Sequence, residues 1–410
     1  MKSLMMVLLA AVLVLSVAAA AEENRYDGLG FYGEYDMWPV QRDGLWGFVN
    51  QHGKLILPCE WEEVGMVVNG RAPVCKDGKW GAIDRAGKLI VPCEWDYLSA
   101  CVDGGYQVDR HDYAGALASD GTILIPCDHY FFVGPAIEGI RLISKDGNTW
   151  GLCTTEGEII TPCQWYSSGY FSEGLAYVLD DSHSYGYINT LGEVVIPCRY
   201  GHAEDFVSGS AVVRDKTGGY QLIDTSGNAL CAEPWDEMET FTANDLIMVR
   251  KGDKYGFINR KGEVAIPLIY DRAQEFGDGL ALVKLGEDVF WIDESGTKVL
   301  DRPEGYTSNP FRHGLAGIRN SDGLWGLMDK QGEFVTPCRW ENILRYVFTV
   351  DRIARVNREG QRGFINQEGT LLTGRMYPRE AISYGIDGDI LFLLENGVLS
   401  IWRADGTKSY

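Results

Sequence analysis

The stretch "GLWGFVNQHGKLILPCEW", residues 44–61, decides the fold. Two short apolar runs flank the polar turn Asn50-Gln51-His52-Gly53, whose closing glycine can take positive φ. That is the pattern of a β-hairpin. Its second half returns as "LIVPCEW" at 89–95, "ILIPCDH" at 123–129 and "VVIPCRY" at 194–200. The turn glycine itself recurs at Gly53, Gly87, Gly121, Gly157, Gly192, Gly227, Gly262, Gly296, Gly332, Gly369 and Gly406, 34 to 37 residues apart. A period of this length marks a tandem repeat that fills the chain and leaves no room for a separate catalytic domain.

Six residues before most of these glycines stands an aromatic-glycine pair: Trp46-Gly47, Trp80-Gly81, Trp150-Gly151, Tyr185-Gly186, Tyr255-Gly256 and Trp325-Gly326. Other copies have drifted. Ala114-Gly115 and Arg362-Gly363 lack the aromatic, Tyr220-Gln221 lacks the glycine, and the repeats around Phe290 and Ser400 lack both. A third landmark, "FSEGLAYV" at 171 and its echoes, places Phe171, Phe206, Phe241, Phe276 and Phe311 at a spacing of 35. Each repeat therefore reads as three short strands, with a fourth not excluded. The expected fold is all-β, a tandem array of about eleven three-stranded antiparallel β units. So small a sheet must stack on its neighbours to bury its apolar face. An open, curved or solenoid-like arrangement is favoured over a closed propeller-like ring, because propellers typically have about four to eight blades; two consecutive propellers remain open.

The Trp-Gly pairs, the turn glycine and the Ile-Pro ending, recurring in register, make residues 37–410 resemble the WG-repeat proteins of bacteria. The resemblance implies a β-repeat protein, commonly exported, and no enzyme; the family has no catalytic residues to carry over. Residues 37–369 are read as WG-type repeats, 370–410 as a degenerate capping repeat and 22–36 as an N-terminal leader. The cysteine after proline departs from the commoner family pattern.

Six of the ten cysteines occupy that slot: Cys59, Cys93, Cys127, Cys163, Cys198 and Cys338. No CxxC pair or Cys/His cluster supports a metal site. The equivalent slot holds Leu268 in one repeat, which argues for a small buried apolar position. Export would also permit a disulfide between adjacent repeats, and both readings stand. The recurring aromatics are expected in the core between repeats. "DDSHSYG" at 180–186 and "RHDYAG" at 110–115 place histidines beside aspartates in solvated loops, and "HAE" at 202–204 lacks the PCxxC partner of a deaminase.

Residues 1–21, with Lys2 ahead of an apolar run ending in small residues, read as a signal peptide. No later run is long and apolar enough to span a bilayer. The formal net charge of −21 argues against nucleic acid. The expectation is a non-catalytic, secreted or extracytoplasmic protein, without cofactor or metal, that presents an extended surface to a protein or a cell-surface glycan. A carbohydrate-active hydrolase with carboxylates in the array's cavity, or a purely structural envelope spacer, is the alternative.

Overall fold

A computed structural model describes residues 25–30, 33–34, 36–239, 245–343 and 352–410. The expected signal peptide, most of the leader and Phe241 lie outside the described residues. Among the described residues the chain forms eleven small antiparallel sheets and one 3-10 turn, Arg379–Ala381.

The repeat at residues 167–200 shows the plan: strands Ser167–Ser168, Leu175–Leu179, Tyr185–Asn189 and Val194–Tyr200, paired in sequence order. Nine of the eleven sheets have four strands, which settles the strand number as four rather than three for most repeats. The additional strand is usually a two-residue run that begins just past the aromatic ending the previous sheet. Two residues carry no periodicity, so the sequence pattern does not reveal it.

Within a compact unit, consecutive sheets share hydrophobic layers drawn from two neighbouring repeats. Leu152 and Trp165 of one sheet meet Phe171, Ala176, Val178 and Ile188 of the next. The third landmark belongs to these layers. Phe206 sets its ring edge-on against Tyr187 of the preceding sheet at 4.9 Å, and Phe276 does the same to Phe257 at 4.8 Å.

The chain divides into two compact units. The second, Asp96–Trp340, contains seven consecutive sheets. The first joins the residues up to Trp95 to Glu341–Tyr410, so sheets from both ends of the chain share it. Within it the first and last sheets bury Trp38, Val40 and Val49 against Ile390, Phe392 and Ile401, with the Trp38 and Phe392 rings stacked at 4.3 Å. The backbone N–H of Tyr26 donates to Gly397 O at 2.8 Å, and Arg25 bridges to Val398. Within this unit the two ends of the array are therefore paired rather than free, against the open, free-ended arrangement favoured from the sequence. Within residues 370–410, expected to cap the array, the sheet at 382–403 is covered on both faces: by the first sheet, and by Ile353, Phe364, Leu372 and Tyr377 of the preceding one.

Candidate binding surface

The aromatic-glycine pair and the Pro-Cys pair turn out to be two halves of one device. In the repeat at 167–200, Tyr187 pairs with Ile196 and Tyr185 with Tyr200. Two residues on the third strand thus span four on the fourth, and Pro197-Cys198 fill the resulting bulge. The bulge folds down over Gly186. A Cβ on that glycine would lie 2.5 Å from Ile196 O, 2.7 Å from Cys198 N and 2.8 Å from Cys198 Sγ. The same approach recurs at Gly47, Gly81, Gly115, Gly151, Gly256 and Gly326. The thiol takes the volume the missing side chain leaves.

From there four of the six slot sulfurs reach the second strand of their own sheet: Cys127 Sγ lies 3.5 Å from Val108 O, Cys338 Sγ 3.6 Å from Ile318 O, Cys163 Sγ 3.8 Å from Ile143 O and Cys59 Sγ 3.9 Å from Val40 O. All ten cysteines are free thiols. The slot ones are half-buried, and burial raises the pKa of all six, with Cys127 and Cys198 pushed up to about 11. Such thiols are poor nucleophiles and poor metal ligands at neutral pH.

The aromatics divide by position. Those after Pro-Cys are buried: Trp61, Trp95, Trp165, Tyr200 and Trp340. Those before glycine, Trp46, Trp80, Trp150, Tyr185, Tyr255 and Trp325, are only half-buried. Of these, Tyr255 carries Arg250 over its ring and Trp325 carries Arg319, both at 5.9 Å. They serve the interface between repeats without being sealed in it.

Carboxylates are committed to backbone in three recurring ways. The acid that follows the aromatic accepts from the turn between strands two and three: Asp77 N and Gly78 N bond Glu62, His111 N bonds Asp96, Gly252 N bonds Asp236 and Gly286 N bonds Asp271. The Asp or Asn three residues before the turn glycine accepts the N–H groups of its own hairpin, as Asp224 does from Ser226 and Asn228. The third way links repeats. Glu138 accepts from Glu173 N and Gly174 N, Glu173 accepts from Gly209 N, and Asp278 accepts from Gly314 N. The sequence shows these acids but not their partners, which are backbone groups with no side-chain signature.

Two carboxyls are raised instead. Burial, then the charge of Asp96, lifts Asp109; burial, then Glu204, lifts Asp205. His202 Nε2 lies 2.8 Å from Glu204 Oε1, so the "HAE" stretch is closed by a local side-chain hydrogen bond. His111 and His183 are exposed turn residues with positive φ. Among the described residues no group of His, Cys, Asp and Glu has the arrangement of a metal site.

One surface feature repeats. The first residue of the fourth strand is apolar and exposed in sheet after sheet: within the second compact unit Ile123, Ile159, Val194, Val264 and Phe334 are each 43% to 54% exposed. In the four-stranded sheets the fourth strand is an open edge, opposite the first strand. Its proline removes an N–H that would invite further pairing.

The family model described as "WG containing repeat" matches residues 46–80, 80–106, 150–182, 185–220, 255–287 and 325–360. A comparison with curated proteins returns no match. Among solved structures the chain is similar to BamB from Moraxella catarrhalis, with 11% identity over 66% of this chain and 93% of that one and a TM-score of 0.34. It is also similar to a eukaryotic initiation factor, at 11% identity over 83% and 95% and a TM-score of 0.42. The computationally designed Ika8 protein matches at 13% identity over 83% and 95%, with a TM-score of 0.31. Likenesses this distant assign neither ligand nor partner.

Proposed function

We propose that this chain, a member of the WG-repeat family, is a non-catalytic extracytoplasmic binding protein whose repeats present one surface many times to a protein or a cell-surface glycan. One observation carries the reading: groups able to do chemistry are spent on the same structural duty in repeat after repeat, while the same apolar spot on the open edge is left exposed. The slot thiols fill bulges, and the recurring acids hold turns. A surface assembled from identical weak contacts gains affinity by multivalency rather than by one deep pocket. The extracytoplasmic setting rests on the character of residues 1–21.

The test is capture from a cell-envelope extract by the mature protein, with and without glycan competitors. Ile159→Glu, Val194→Glu and Val264→Glu are introduced singly and together. Capture that weakens progressively with each added glutamate supports the reading. Binding to no envelope fraction favours a structural spacer. Release of reducing sugar from a polysaccharide panel, abolished by one carboxylate substitution such as Asp205→Asn, replaces the reading with a hydrolase.

A further inference from the structure

In the first compact unit, the repeat at residues 342–378 departs from its sisters on one face. Strands Ile353–Arg358 and Gln361–Asn366 pair with Asn357 opposite Arg362 and Arg355 opposite Phe364. All four side chains therefore rise on the same side of the sheet. Arg362 stands where the sister repeats carry Trp or Tyr. Its guanidinium lies 5.2 Å from the ring centroid of Tyr384, which belongs to the next strand, Ile382–Asp387. Arg355 lies 5.8 Å from the same ring and donates to the Tyr384 hydroxyl.

A third guanidinium, Arg379, adds to the positive field at Arg362. Among the described residues, two carboxylates stand against the three cations. Glu341 is 3.9 Å from Arg379, and Glu380 acts on Arg362 from the neighbouring turn. The balance is still cationic, in a chain of net charge −21.

The hydrogen bonding is incomplete here. Arg355 Nε, Arg362 Nε and Asn357 Oδ1 are shut off from solvent and have no partner among the described residues. Asn357 as a whole is only 8% exposed. An unmet buried polar group is costly, and more so when charged. Burial, followed by the charges of Arg355 and Arg379, holds Arg362 below the usual arginine range. A Tyr-Arg packing platform alone does not explain three unmet groups on one face beside three cations. Sister repeats place a single arginine over the aromatic, as Arg319 does over Trp325.

We propose that Arg355, Asn357 and Arg362 form a binding site for an oxyanion, the phosphate or carboxylate group of a ligand. The guanidiniums supply charge-assisted donors in a planar fork, the geometry that suits such anions. The Asn357 amide, whose two ends are interchangeable by a flip, turns its NH2 toward the same anion. Tyr384 positions both guanidiniums.

The test is calorimetric titration of the full chain with inorganic phosphate and, separately, with acetate, each against chloride at matched ionic strength. One site per chain is expected for at least one of the two. Arg362→Gln and Arg355→Gln should each weaken it at least tenfold, and Arg319→Gln should leave it unchanged. Binding of phosphate alone assigns a phosphate group, and binding of acetate alone a carboxylate. A rise in the wild-type melting temperature with the anion, not reproduced by chloride, supports the site independently of how the variants fold. The proposal is overturned if neither anion binds above the chloride control, or if Arg319→Gln weakens binding as much as Arg362→Gln.

Discussion

Gly186→Ala puts the close approach of the fourth strand to a direct test. The added Cβ would lie 2.5 Å from Ile196 O and 2.7 Å from Cys198 N, both backbone atoms. A tolerable carbon–oxygen separation is about 3.3 Å, so the edge strand must retreat by roughly 0.8 Å. That takes a ladder bond near ~2.9 Å beyond hydrogen-bonding distance. Loss of one or two bonds, at about 0.5–1.5 kcal/mol each, adds to an overpacking cost of about 1–3 kcal/mol. The sum is roughly 1.5–6 kcal/mol, against about 1 kcal/mol for alanine at Gly174, which has positive φ but open space around it. Because stacked repeats need not unfold in one step, the readout is native-state hydrogen exchange of the amides in 185–200. Cys198→Ala in the Gly186→Ala background should restore less than half, since it removes one of the three near atoms and neither backbone atom. If Gly186→Ala costs no more than Gly174→Ala, or if Cys198→Ala restores it fully, the bulge does not explain the Trp-Gly motif.

Other consequences follow from the same geometry. Hydroxyl or amide donors hold Asp215, Asp224, Asp293 and Asp405 below the ordinary aspartate value, and Lys254 then Gly286 N do so for Asp271. Their contribution is full above the unfolded value of about 4 and is lost as pH falls through the lower folded values. Thermal midpoints should hold steady from neutral pH to about pH 5 and fall below about pH 4; a midpoint rising on acidification would refute this, since only the raised Asp109 and Asp205 act in that direction. Cys127, Cys153 and Cys198, pushed up to about 11 chiefly by burial, should resist iodoacetamide at pH 8 until denaturant is added, as read by mass spectrometry. Glu138→Ala should speed amide exchange at Glu173 and Gly174, which donate to it, and leave Gly209, held by Glu173, unchanged. Trp38→Ala, removing a side chain 1% exposed and stacked on Phe392, should cost about 3–5 kcal/mol and expose the amides of 390–401 to exchange.

Much of this was legible in the sequence because each landmark has one job that only a few residue types can do. The turn glycine needs positive φ, and Gly192 also seats against Thr161 of the preceding sheet. The exceptions follow the same logic. Where Phe290 replaces the glycine, the two-residue bulge is absent: Phe290 pairs with Asp301 and Trp291 with Leu300 with no extra residue between them, and the fourth strand, Lys298–Asp301, has no Pro-Cys. Where Gln221 replaces it, the chain leaves the ladder after Leu230 and rejoins it at Trp235. Two motifs read separately along the chain are thus one contact, which became visible only when the hairpin was closed. The two-residue first strand and the backbone partners of Glu62 or Glu138 were illegible for the opposite reason. Neither leaves a side-chain pattern.

In an array of this kind repetition separates structure from function. A polar group with the same partner in every repeat is answering a demand of the fold, and Glu62, Asp96, Asp236 and Asp271 all bond the same turn. Mutating any of them tests stability. A group whose neighbours change from one repeat to the next is free of that demand, and its cost must be offset elsewhere. Arg362 is such a group. It gives up the aromatic packing that Trp46 or Trp325 provides and gathers Arg355 and Arg379 near it. Together with Asn357 it leaves buried polar atoms unmet on the face it shares with Tyr384. Drift under relaxed packing would remove the aromatic, yet it would not assemble complementary donors on one side of two paired strands. The departure at Arg362 is therefore better understood as a site than as decay.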